Sequence, residues 1–171
     1  MQGGDRSGVG RREASDRMRE KRKRLVSSGR GPTVLLVEDD EEMREMLAAA
    51  LRRDGCRVIE AVDGDDAIDW LGVGILTGHA ARLPALIVSD ICLPYASGLE
   101  ILEGVKLASH RIPVLLITGF GDEQTHAQAR TLGAERVLDK PFGLREFRAA
   151  VADALGRQLL PPPWERDGHV L

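Results

Sequence analysis

The stretch TVLLVEDD, Thr33 to Asp40, sets a continuous apolar run, Val34-Leu35-Leu36-Val37, directly before the acids Glu38 and Asp39, with Asp40 behind them. An unbroken run of this kind suits a strand buried on both faces of a parallel sheet, whereas a half-exposed strand would alternate. Acids at the carboxyl end of such a strand fall on the rim where open α/β sheets hold ligands. A second run, Ala85-Leu86-Ile87-Val88, leads through Ser89 to Asp90. Three carboxylates are therefore expected to share one pocket.

Like charges at contact distance raise one another's pKa, so such a cluster needs a neutralising partner. A divalent cation with hard oxygen ligands, magnesium above all, is one agent. The other is a lysine: Lys140 follows the short run Val137-Leu138 and precedes Pro141. A further run, Pro113-Val114-Leu115-Leu116-Ile117, ends in Thr118. Acid pair, lone Asp, Thr and Lys each close a separate strand-like segment.

Between these segments the pattern turns helical. Met43, Met46, Leu47, Ala50 and Leu51 recur with the spacing of a one-sided helix, ended by Gly55. Arg57 to Ala61 reads as a second strand, and Gly64, Ala67, Ile68 and Leu71 mark a second helix. Residues 72–83 hold three glycines and no clear period, predicting a loop or an irregular helix extension. Gly98, Ile101, Leu102 and Val105 give a third helix, Asp122 to Leu132 a fourth, and Leu144, Phe147, Val151 and Leu155 a fifth. Alternating strands and helices imply right-handed crossovers: an α/β fold with a doubly wound, five-stranded parallel sheet and five helices on its two faces.

The chain has 171 residues and a formal net charge of −3, enough for one domain with tails. Residues 1–31 concentrate Arg and Lys, including Arg19, Lys21, Arg22, Lys23 and Arg24, with almost no apolar residues, so they read as a disordered basic extension. Residues 32–158 form the expected domain, and 159–171, with Pro161-Pro162-Pro163, a stiff tail too short for an output domain. No apolar stretch is long enough for a bilayer and no secretory signal is present, so a cytoplasmic location is expected. Cys56 and Cys92 read as reduced, partly buried residues. His79, His110, His126 and His169 show no metal spacing and read as surface residues, and Trp70 as a helix-to-sheet packing residue.

An aspartate can accept a phosphoryl group if the charge repulsion between them is screened. A metal held by Glu38, Asp39 and Asp90, with Lys140 and Thr118 on phosphoryl oxygens, would satisfy that demand. The chain also resembles the receiver domains of two-component response regulators, in their single-domain form with the chemotaxis-regulator fold. The likeness rests on Val37-Glu38-Asp39-Asp40, Ser89-Asp90 with Pro94 and Gly98, Thr118-Gly119, and Lys140-Pro141-Phe142. It implies a flavodoxin-like strand order of 2-1-3-4-5. It further implies Asp90 as phosphoacceptor, Glu38 and Asp39 as the acidic pair, Cys92 as a backbone-carbonyl ligand to Mg2+, Thr118 as switch hydroxyl and Lys140 as phosphate-binding lysine. Asp40, in this register, lies just beyond the pair.

Four departures stand out. Val137 occupies the place of an aromatic that moves with the threonine in many receivers, and Ser97 a place often held by Asp. The 72–83 stretch is long, and Thr118-Gly119-Phe120-Gly121-Asp122 puts two glycines in the following loop. The implied partners are a sensor histidine kinase or phosphotransfer protein and a downstream protein target; a homodimer through the last helical faces is compatible. Two other readings compete. One is a magnesium-dependent phosphohydrolase using an aspartyl phosphate, which would place its nucleophile after the first strand with a second Asp two residues on. The other is nucleic-acid binding through the basic extension, which lacks interleaved aromatics and any helix-turn-helix or zinc motif and reads better as a solvated tail.

Overall fold

Aliphatic runs with no polar interruption can satisfy their backbone only by pairing on both sides, and here they do. The computed structural model describes residues 31–77, 83–108, 111–119 and 121–156. Its strands are β1 (Thr33–Val37), β2 (Arg57–Ala61), β3 (Leu86–Asp90), β4 (Val114–Thr118) and β5 (Arg136–Asp139). All pair in parallel, in the order β2-β1-β3-β4-β5. The helices are α1 (Glu41–Arg53), α2 (Gly64–Thr77), α3 (Gly98–Leu107), α4 (Glu123–Thr131) and α5 (Leu144–Ala154). Residues 1–30 of the basic extension, the proline-rich tail, Phe120, His79, His110 and His169 lie outside the described residues.

Side chains alternate across the sheet and build two cores. Val34, Leu36, Val58, Val88 and Ile117 pack with Leu47, Ala48 and Leu51 of α1 and with Phe147, Ala150 and Val151 of α5. Leu35, Val37, Ile59, Ile87 and Leu116 pack with Ala67 and Leu71 of α2, with Ile101, Leu102 and Val105 of α3, and with Ala129 of α4. Two helices thus cover one face and three the other. Trp70 is half-buried against the second core.

The structure corrects several details. In α1, Ala48 is buried while Met46 is exposed, so the apolar stripe is rotated from the expected one. Ile68 and Leu144 are likewise exposed. Of the two alternatives for the stretch after Gly72, the helix extension holds as far as Thr77, where α2 ends. Helix α1 does end as expected, with Asp54 as the C-cap and Gly55 following at φ +82°. Cys56 is buried but Cys92 is exposed, and neither forms a disulfide.

Sheet order fixes where the site falls. Connections leave β1 toward β2 on one side and β3 lies on the other, so the crevice opens between the carboxyl ends of β1 and β3. Val37 is level with both Ala61 and Ser89, Asp90 with Ile117, and Thr118 with Asp139. Every chemically distinctive residue of the sequence therefore arrives at one end of the sheet.

Candidate phosphoryl-transfer site

Glu38, directly after β1, is almost fully buried; Asp90, the last residue of β3, and Thr118, the last of β4, are buried as well. Asp39 is exposed on the rim. Carboxylate oxygens of Glu38, Asp39 and Asp90 lie within 4.8 Å of one another, the one such acidic group among the described residues. Asp40 faces elsewhere: its Oδ1 accepts the Met43 N–H at 2.7 Å and caps α1. A short N-cap acid is well suited to satisfy an open helix-end donor, and this removes Asp40 from the cluster.

Lys140 binds this cluster together. Its Nζ donates to Asp90 Oδ2 at 2.5 Å and to Glu38 Oε1 and Oε2 at 3.2 and 3.0 Å. The Lys140–Pro141 peptide is cis, and the Lys140 N–H donates to the Thr118 carbonyl at 2.7 Å, continuing the β4–β5 ladder by one residue. Asp90 Oδ1 accepts the Cys92 backbone N–H at 2.7 Å, so the two carboxylate oxygens have different partners.

Burial pushes the Glu38 carboxyl above its usual range and the Asp90 charge adds to this, while Lys140 pulls it back only in part. Burial works against the Lys140 ammonium too, but its bonds to Asp90 and Glu38 and their charges prevail, and its pKa is raised. Three carboxylates against one ammonium leave an excess of negative charge on hard oxygen donors, which is the chemistry a divalent cation fits.

Sequence patterns did not disclose what holds these residues in place. The Arg44 guanidinium donates to the backbone carbonyls of Glu38 and Asp39, at 2.9 and 3.4 Å, and fixes the β1–α1 turn from inside α1. The β3–α3 loop is clamped by two glycines. A Cβ on Gly98 would stand 2.3 Å from the Asp90 carbonyl oxygen, and one on Gly64 would stand 1.9 Å from that of Ala96. Ser97 caps α3 in a reciprocal box with Glu100. Val137, half-buried against the second core, supplies no ring. His126 is not a plain surface residue: its Nε2 lies 2.8 Å from Asp139 Oδ1.

Residues 34–152 match the family model of the response regulator receiver domain. The KDP operon transcriptional regulatory protein KdpE of Escherichia coli (strain K12) is 36% identical over 124 residues, 72% of this chain and 51% of KdpE. The transcriptional activator protein PfeR of Pseudomonas aeruginosa is 37% identical over 144 residues, 82% of this chain and 44% of PfeR. The chain thus spans about half the length of these curated relatives. Among solved structures, the non-phosphorylated HemR receiver domain from Leptospira biflexa superposes with a TM-score of 0.65 at 29% identity, over 77% of this chain and 98% of that one. The chemotaxis response regulator CheY4 of Vibrio cholerae gives 0.61 at 25% identity, over 72% and 98%. The strand order, the acid cluster at the switch point and these likenesses converge: the chain belongs to the response regulator receiver family, the phosphorylation-dependent switches of two-component signalling.

Proposed function

We propose that Asp90 accepts a phosphoryl group from a phosphohistidine of a sensor histidine kinase or phosphotransfer protein, and that the modified domain signals by binding a downstream protein. The observation that carries this reading is the split environment of the Asp90 carboxylate, with Oδ1 on the Cys92 N–H and Oδ2 on the Lys140 ammonium. An Asp90 oxygen attacks phosphorus, an acyl phosphate P–O bond forms, the P–N bond of the donor breaks, and the departing imidazole takes up a proton. Phosphoryl transfer of this kind asks the protein mainly for position and charge. Lys140 passes from bridging the two acids to pairing with a phosphoryl oxygen, and the Thr118 hydroxyl donates to another.

Glu38, Asp39, Asp90 and the Cys92 carbonyl are the groups that would hold Mg2+. Once bound, the ion neutralises the carboxylates and the incoming phosphoryl oxygens. The protein acts stoichiometrically, one phosphoryl group per chain with self-dephosphorylation, and not as a turnover phosphohydrolase. A cytoplasmic setting, where histidine kinases present their phosphorylated domains, completes the proposal.

Phosphoramidate or acetyl phosphate with Mg2+ is expected to add one phosphoryl group, detected by intact mass, and Asp90→Asn to abolish it. Mass gain that survives in Asp90→Asn, or multiple turnovers of a small phosphoester, would contradict the assignment. Partner capture with and without phosphorylation tests the downstream step.

A further inference from the structure

Gly121 rests on a pair of side chains that the phosphoryl chemistry above leaves unused. His126, in the first turns of α4, places Nε2 2.8 Å from Asp139 Oδ1, the last residue of β5. Asp139 is level with Thr118 in the β4–β5 ladder and precedes Lys140, whose N–H bonds the Thr118 carbonyl. Asp139 is therefore the immediate chain neighbour of the lysine whose ammonium holds Asp90 and Glu38.

The backbone at Gly121 is closely fitted to this pair. A Cβ there would lie 2.1 Å from Asp139 Oδ1, 2.5 Å from His126 Nε2 and 2.9 Å from Thr118 Cγ2. Three groups from three elements thus converge on a space that only a glycine leaves open. The α4 start is rigid on its own account: Asp122 caps it through the Thr125 N–H at 2.7 Å, and the His126 N–H bonds the Asp122 carbonyl at 3.1 Å. Thr118 and Gly121 therefore sit directly against the His126–Asp139 pair.

We propose that His126 is a positioning residue for the phosphoryl reaction, holding Asp139 so that Thr118 and Lys140 keep a fixed placement relative to the start of α4. The inference rests on the phosphoacceptor reading above. Stability alone gives the pair little reason to exist, because the Asp139 side chain is 57% exposed and pairs of that kind contribute about 0–1 kcal/mol. A positioning role predicts a different balance: rates change while the fold is nearly untouched.

The test uses the full chain, acetyl phosphate and Mg2+, with rates of phosphorylation and of dephosphorylation measured beside thermal unfolding. His126→Leu and Asp139→Ala are each expected to change at least one rate by about threefold or more, and the double variant to be no worse than either alone. His126→Gln keeps an N–H donor at a similar reach and is expected to restore the parent rates. Unfolding temperatures are expected to stay close to the parent's. Unchanged rates in both single variants of a parent that phosphorylates normally would overturn this inference and leave the phosphoacceptor reading standing, as would additive effects or failure of the glutamine to rescue. A parent that takes no phosphoryl group overturns both.

Discussion

At the scale of single residues, the β3–α3 loop carries opposite conformational demands within a few positions. Gly64 and Gly98 are needed because the carbonyls of Ala96, in that loop, and of Asp90, at the end of β3, lie where their side chains would be. Tyr95, between them, has φ +67° although it is no glycine, and its side chain is 81% exposed, so little packing compensates the left-handed backbone. Three substitutions separate these demands. Gly64→Ala is expected to destabilise by about 1–3 kcal/mol through the clash with the Ala96 carbonyl. Gly72→Ala, in the same helix with open space around it, is expected to stabilise by up to about 1 kcal/mol through helix propensity. Tyr95→Gly should gain roughly 0.5–1 kcal/mol, the relief of the left-handed backbone less the extra freedom of the unfolded chain. Denaturant unfolding of the three variants checks the signs, and equal effects at Gly64 and Gly72 would refute the clash.

At the scale of elements, the starts of α1, α3 and α4 carry carboxylates in their caps, and two of these bring a pH dependence. The Ser97 backbone N–H and then its hydroxyl hold the Glu100 carboxyl below its ordinary 4.5. The Thr125 side chain and then its backbone N–H hold Asp122 below 3.8. A carboxyl whose pKa falls on folding contributes stability that is present above the unfolded value and lost as pH drops through the folded one. Thermal unfolding from about pH 7 to pH 3 is therefore expected to show a constant gap between the parent and Glu100→Gln above about pH 6, closing below 4.5; a gap that widens on acidification would reverse the sign. These caps also mark what the sequence disclosed. Strands were legible because a buried parallel strand must be an unbroken aliphatic run, and the site residues because each closes such a run. Helix faces were less so: Ala48 is small enough to read as neutral yet faces the core, while Met46, Ile68 and Leu144 look apolar and face outward. The contacts of His126 with Asp139, of Gly64 with Ala96 and of Arg44 with the Glu38 carbonyl leave no periodic trace, since they join groups by shape and not by pattern.

At the scale of the whole molecule, the site sets charge against folding. An acid whose pKa rises on folding contributes most favourably below its unfolded value, and its contribution declines as pH climbs through the raised one; buried Glu38 is such a group. Lys140, raised as well, loses its contribution in the same direction but only at alkaline pH, so it stays charged throughout the neutral range. The fold gathers three carboxyl groups around one ammonium, and a ligand that binds only this folded arrangement must stabilise it. Magnesium at one hundred times its dissociation constant is expected to add about 2.7 kcal/mol, seen as a rise of several degrees in the unfolding temperature. Asp39 offers the cleanest control, because it is exposed and its replacement removes an oxygen ligand without opening the core. Asp39→Asn should unfold near the parent temperature without magnesium and lose most of the magnesium-dependent rise. An equal rise in both proteins would place the ion elsewhere and detach the metal from the cluster that the strand ends assemble.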